Sequence, residues 1–271
     1  MNGCKQFKQG ALKMATNIVL LKKKALSKPI LFVGLPGIGL VGKICVDYLL
    51  KQFKTELIGE IYSDSFPPAV HTKAGLVELI TDQIFAFKFA DRHFLFLAGP
   101  VQPALDFRVG SSQEHYDFAE KIVLSMKKLG VKEVFTLAGI NIGDKRMETQ
   151  PNVVVAATSK KLLEEFKALG AKSDQKEGLI SGAAGLFLGL AKQHGLEGAC
   201  LMGETNARLV YGDHGAAKKL LELLIKKFGF KVDMKGIEQE AKNIEAAFER
   251  LAAQFEEVEE KMPPEGPSYV R

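Results

Sequence analysis

A glycine-rich bend, Val33-Gly34-Leu35-Pro36-Gly37-Ile38-Gly39-Leu40-Val41-Gly42-Lys43, constrains this chain more than any other stretch. It follows the apolar run Pro29 to Val33 and opens the amphipathic stretch Leu40 to Leu50, so it predicts a strand, a tight turn and a helix in immediate succession. Glycine is needed where φ turns positive or where a helix N-terminus passes close to a strand, and Pro36 fixes the entry to the turn. A strand-turn-helix unit of this kind begins an α/β domain.

Three readings of the bend stand side by side. Gly37, Gly39 and Gly42 spell G-x-G-x-x-G, with Glu60 after the next apolar run as a candidate ribose acid for a dinucleotide. Gly37 to Lys43 also spells a P-loop, but Ile44 stands where a Ser or Thr hydroxyl should reach Mg²⁺. The apolar strands His93 to Gly99 and Glu133 to Gly139 end on glycine, not on an acidic metal partner. In the third reading the glycines only let the helix pack tightly on the sheet.

Downstream, strands and helices alternate. Leu57 to Tyr62 reads as a strand, and Phe66-Pro67-Pro68 breaks the pattern. Gly75 to Ile80 and Ile84 to Phe89, separated by Thr81-Asp82-Gln83, read as a hairpin. His93 to Ala98 is almost wholly apolar, as a strand covered on both faces must be, and it stops at Gly99-Pro100-Val101-Gln102-Pro103. Ser111-Ser112-Gln113-Glu114 opens a helix that carries Phe118, Ile122, Val123 and Met126 on one face and ends at Gly130. Val131 to Ala138 is the next strand, followed by a second glycine turn (Gly139 to Gly143) and a polar loop (Asp144 to Asn152). Val153 to Ala157 is a strand and Ser159 to Leu169 a helix. Leu179 to His194 is a buried helix, Leu196 to Met202 a strand, and Asp213 to Phe228 the last helix of the body. This alternation predicts an α/β fold with a largely parallel sheet covered on both faces.

With 271 residues, 46% of them hydrophobic, the chain can bury a large core. Cys4, Cys45 and Cys200 lie far apart, and two sit in apolar runs, which fits free thiols in a reducing cytoplasm and no zinc site. Lys5, Lys8, Lys13 and Lys22 to Lys24 interrupt the early apolar runs, so neither a signal peptide nor a membrane span is expected. Charge is uneven. Lys231 to Arg271 holds six basic and ten acidic residues, a tail of −4 on a body of +9, within a total of +5. The basic residues are mostly Lys on helix faces, such as Lys127-Lys128, Lys160-Lys161 and Lys226-Lys227, with no aromatic platform between them. Solvated helix faces are expected, not a nucleic-acid partner.

No catalytic set assembles. His71, His93, His115, His194 and His214 share no metal-ligand spacing, and no serine occupies a G-x-S-x-G elbow. Ser181 reads as a helix cap, and Glu204 as a loop cap or a base. No cofactor and no metal are expected.

Taken together, Gly34-Leu35-Pro36-Gly37-Ile38-Gly39-Leu40-Val41-Gly42-Lys43, Phe66-Pro67-Pro68, Gln102-Pro103, Ile180-Ser181-Gly182-Ala183-Ala184-Gly185-Leu186, Gly203-Glu204-Thr205 and Gly212-Asp213-His214-Gly215-Ala216-Ala217 resemble the archaeal branch of the proteasome assembly chaperone family. These are relatives of the second eukaryotic assembly chaperone. At the last of these motifs the family more often has a Pro-Asp-Pro turn. The resemblance runs from about Val19 to the C-terminus. It implies a three-layer α/β/α sandwich of the purine nucleoside phosphorylase type, with a mostly parallel or mixed sheet, that serves protein association without catalysis. It also implies homo-oligomers and proteasome α subunits as partners. Some relatives dock through a C-terminal hydrophobic-Tyr-any motif. Here the chain ends Ser268-Tyr269-Val270-Arg271, which places Tyr269 third from the end.

Residues 1–234 thus form the expected globular body. From 235 to 262, Ile237, Ala241, Ile244, Phe248, Leu251, Phe255, Val258 and Met262 recur at alternating spacings of four and three, a heptad seam for oligomerisation or for packing on the chain's own domain. Pro263, Pro264 and Pro267 end that helix, so residues 263–271 are expected to form a mobile tail with Tyr269, Val270 and Arg271 as partner-binding residues.

Overall fold

The computed structural model describes residues 16–22, 25–103, 112–173 and 177–242. The elements are β1 (Asn17–Leu20), β2 (Ile30–Gly34), α1 (Val41–Gln52), β3 (Glu56–Tyr62), β4 (Val70–Lys73), β5 (Leu76–Leu79), β6 (Asp82–Phe89), β7 (Arg92–Ala98), α2 (Ser112–Lys128), β8 (Glu133–Asn141), α3 (Lys145–Glu148), β9 (Val153–Ala157), α4 (Lys160–Ala168), α5 (Gly182–Gln193), β10 (Glu197–Thr205) and α6 (His214–Phe228). A further helix begins at residue 235.

Eight strands make one sheet in the order β1-β3-β6-β7-β2-β8-β10-β9. The middle strands β7, β2, β8 and β10 run parallel, and the flanking pairs β1-β3, β3-β6, β6-β7 and β10-β9 run antiparallel. The expected α/β/α sandwich is therefore present with a mixed sheet. The parallel strands are the apolar ones because helices cover both of their faces.

Residue alternation along β2 shows how the layers are assigned. Ile30 and Phe32 join the core under α1, α4 and α6, whereas Leu31 and Val33 join the core under α2 and α5. Phe32 stacks on Phe94, Phe96 and Phe135 at centroid distances of 5.5–6.1 Å and meets Phe228 edge-on at 5.3 Å. It is fully buried, so truncating it to Ala should cost about 3–5 kcal/mol. Helix ends follow local rules as well. The Ser159 hydroxyl accepts from the Leu162 N–H, Asp213 accepts from the Ala216 N–H at 2.9 Å, and Gly229 at φ +72° closes α6.

Two local expectations change. β5 does not pair with β6; it folds back on β4 through Ala74 and Gly75, both at positive φ (+50° and +78°), the two-residue turn whose twist matches a hairpin. β6 then turns at Ala90 (φ +52°) to pair with β7. β1 also joins the sheet edge, beside β3, a strand too short to stand out in the sequence. Among the described residues no helix is long and apolar enough to cross a membrane.

Candidate functional site

The glycine bend lies at the carboxyl end of β2, where neighbouring chain connections leave in opposite directions, the usual place for a site in an open α/β sheet. Its glycines are not equivalent. Gly39 sits at φ +60°, and a Cβ there would lie 2.4 Å from Thr205 Oγ1; a Cβ on Gly42 would lie 1.9 Å from the Leu137 carbonyl oxygen. From the other side, a Cβ on Gly139 would lie 2.1 Å from the Ile38 carbonyl oxygen. The bend is thus pressed onto β8 and β10 at backbone contact. Gly37 is extended and has open space around it.

A buried polar cluster holds this contact. The Asp213 N–H donates to the Gly39 carbonyl at 2.8 Å. The Asp213 carboxylate accepts from Arg146 Nε at 2.8 Å and Nη2 at 3.0 Å, and from the Thr205 hydroxyl at 2.9 Å. Arg146 Nη1 donates to the Thr149 carbonyl at 3.2 Å. Both Arg146 and Asp213 are fully buried, so the two-pronged pairing and the added bonds must offset a large desolvation cost. The start of α6, the short α3 and the bend are fastened together there. Asp213 as the head of α6 was legible in the sequence; Arg146, 67 residues away, carried no local signal.

The structure places the polar residues of the two phosphate patterns apart from one another. Lys43 Nζ pairs with Asp47 at 2.7 Å, one turn along α1. Glu60 lies on β3, separated from β2 by β6 and β7, and accepts from the Tyr62 hydroxyl, so no ribose acid stands beside the bend. Tight packing of helix on sheet accounts for Gly39 and Gly42. Of the other candidates, Ser181 occupies the cap position of α5 but its side chain makes no cap bond. Glu204 accepts from the Asn152 N–H and Nδ2 at 2.9 and 2.7 Å and so anchors a loop. Burial pushes the Cys45 thiol far up and the Cys200 thiol to about 11, leaving both as inert core groups. Among the described residues no three His, Cys, Asp or Glu side chains are placed to hold a metal ion.

Next to the bend, on the α2 and α5 side, is a cleft of about 530 Å³. Gly37, Ile38, Gln102, Gly139, Leu179 and Ser181 lie around it, which brings together several motifs far apart in sequence. Among the described residues no charged side chain lines it. Its amide oxygens are engaged: Gln102 Oε1 accepts from the Ala183 N–H at 3.3 Å, and Asn141 Oδ1 from the N–H groups of Gly143 and Ala207 at 3.1 and 3.0 Å. The wall that these residues form suits apolar groups. Beneath the same edge, Asp82 is fully buried under Gly99. Neither of its oxygens makes a hydrogen bond of good geometry. Burial pushes its carboxyl up to about 8, only partly offset by the Val101 backbone and the charge of Lys43.

Of the heptad residues, Ile237 and Ala241 are buried, and Ile237 joins the core beneath α1 and α6 with its N–H donating to the Tyr48 hydroxyl at 3.3 Å. Ile244, Phe248, Leu251, Phe255, Val258, Tyr269, Val270 and Arg271 lie outside the described residues.

With this geometry in hand, three comparisons are informative. The PAC2 family model matches residues 31–252. The uncharacterized protein MJ1210 of Methanocaldococcus jannaschii is 34% identical over 233 residues, covering 86% of each chain. The crystal structure of Pyrococcus furiosus PbaB, an archaeal proteasome activator, superposes with a TM-score of 0.79 at 30% identity, covering 88% of this chain and 99% of that one. That of P. furiosus PbaA, an archaeal homolog of proteasome-assembly chaperone, gives 0.68 at 28% identity, covering 92% and 96%.

Proposed function

The chain belongs to the PAC2 family, and from that premise we propose that it is a non-enzymatic proteasome assembly chaperone or adaptor that binds the α-subunit ring of the 20S proteasome in the cytoplasm. The observation that carries this reading is the likeness to PbaB and PbaA over nearly the whole chain. The cleft fits this reading, because the wall formed by the described residues is apolar and carries no charge.

The body, residues 1–234, is the scaffold. The stretch 235–262 packs on the body at its start, where Ile237 and Ala241 are buried, and serves self-association through Ile244, Phe248, Leu251, Phe255 and Val258, and the tail 263–271 addresses the α ring. Tyr269 fills an apolar slot between subunits while the terminal carboxylate of Arg271 pairs with a basic residue there, a contact available only at a free chain end. One tail binds weakly, and an oligomer presenting several gains affinity through multivalency. Co-purification with cognate α subunits tests the assignment, which fails if they neither bind the chain nor change their assembly in its presence. Surface plasmon resonance of the intact chain, Tyr269→Ala and a chain lacking Tyr269 to Arg271 then tests the tail. Equal affinities for the three would move the contact to the body.

A further inference from the structure

Of the ten large hydrophobic side chains exposed among the described residues, nine sit on segments at the carboxyl edge of the parallel strands. They are Ile38 in the bend, Val70, Leu76, Val77 and Leu79 on β4–β5, Tyr116 near the start of α2, Leu179 before α5, and Val210 and Tyr211 between β10 and α6. A one-sided apolar edge of this kind marks a protein contact.

The β4–β5 hairpin shows which contact. It forms a two-stranded sheet of its own, and among the described residues no strand pairs with either outer edge. The register Val70↔Leu79, His71↔Glu78, Thr72↔Val77 and Lys73↔Leu76 puts Val70, Thr72, Val77 and Leu79 on one face, without a charge, and His71, Lys73, Leu76 and Glu78 on the other. A lone two-stranded hairpin is marginal in water and needs its apolar face covered, yet Val77 and Leu79 are 69% and 65% exposed. The uncharged cleft, rimmed by Ile38 and by Leu179 at 92% exposure, is the matching surface.

Within one chain the two features stand apart. The hairpin leaves the sheet between β3 and β6, and the cleft lies beyond β2 over β8, β10 and β9. Both belong to the same edge and to the α2 and α5 side, where Phe66 at the hairpin's root meets Phe118 of α2. A two-fold axis along the sheet normal, placed between two such edges, sets each hairpin over the other copy's cleft and closes the assembly with identical contacts. With about 150–200 Å² for a fully exposed Val, Ile or Leu, the exposed Val70, Val77, Leu79, Ile38 and Leu179 offer roughly 600 Å² per copy, so the pair buries at least about 1,200 Å² with the cleft walls added, enough for a stable dimer.

We propose that the full chain forms a two-fold dimer in which the apolar face of each copy's β4–β5 hairpin occupies the uncharged cleft of the other. Sedimentation equilibrium of the full chain, Val77→Lys and Leu179→Glu tests it. Both positions are exposed, so melting temperatures should be unchanged, and Thr72→Lys on the same hairpin face replaces Val77→Lys if that variant does not fold. The wild type should sediment at two chains or a multiple of two, and each single variant at half the wild-type mass, with association weakened at least about tenfold. A one-to-one mixture of Val77→Lys and Leu179→Glu should recover mixed pairs, since one of the two contacts then joins opposite charges and the other is unaltered. A monomeric wild type overturns the proposal, as do variants of undiminished mass. So does recovery by mixing Val77→Lys with Val77→Glu but not with Leu179→Glu, which would place hairpin on hairpin. Protection of the hairpin from hydrogen exchange only when α subunits are added would give the face to that partner instead.

Discussion

The bend and the cleft beside it share one edge of the sheet and treat side chains in opposite ways. At the bend, backbone touches backbone, Gly39 and Gly42 have no room for a Cβ, and a buried ion pair is satisfied on every side. A few ångströms away, Gly37 faces open space, the described residues of the walls carry no charge, and Leu179 stands almost wholly in solvent. One half of the edge is closed by packing, and the other is left open. The difference teaches that a phosphate-like glycine pattern is decided residue by residue, by what each absent Cβ makes room for.

Substitutions can break the comparison, beginning with the bend. Gly42→Ala drives a methyl into the Leu137 carbonyl and should cost at least about 4 kcal/mol in urea denaturation. Tolerance of it would mean that the bend is not pressed on β8. Asp213→Ala leaves the Arg146 guanidinium buried and unpaired, and a loss of about 3–5 kcal/mol is expected. Arg146→Met with Asp213→Leu should recover much of it, because the paired charges are replaced by apolar groups of similar size.

Asp82 sharpens the comparison through pH. Its folded-state pKa, about 8, lies above the ordinary 3.8, so the folded state holds a proton that the unfolded state releases. Stability should therefore fall as pH rises from about 4 to about 8 and level off above. Asp82→Asn should remove this slope, with a gain of about 3–6 kcal/mol at pH 8 that shrinks toward pH 4. Thermal melts of both proteins across that range check it, and parallel curves would show that Asp82 is already satisfied in the fold. The smallest effect belongs to Gly37→Ala. With no atom near the new methyl, its stability should stay within about 0.5 kcal/mol of wild type.

How legible the molecule was depended on the range of the interaction. β9 and the helix starting at Ser159 followed from local pattern, because the hydrophobic period and the caps are properties of neighbouring residues. The β4–β5 hairpin was misassigned because its turn, Ala74-Gly75, lacks the usual Asn-Gly or Asp-Gly, while Thr81-Asp82-Gln83 looked like a turn and Asp82 is in fact the buried start of β6. At the site, Gly37 to Lys43 was located by sequence, but whether its glycines seal or open depended on β8 and β10, more than ninety residues away. The Arg146–Asp213 pair and the uncharged cleft arise only from tertiary contact and left no mark in any single stretch.

The central claim is that this edge and the tail beyond it serve protein association and not small-molecule chemistry. The most direct test immobilises the full chain on a sensor surface and passes over it, in turn, cognate proteasome α-subunit rings, ATP, NAD and a nucleoside. The account predicts saturable binding of the rings and flat responses to the three small molecules. Saturable binding of a nucleotide that Gly37→Val abolishes, together with no response to the rings, would contradict it.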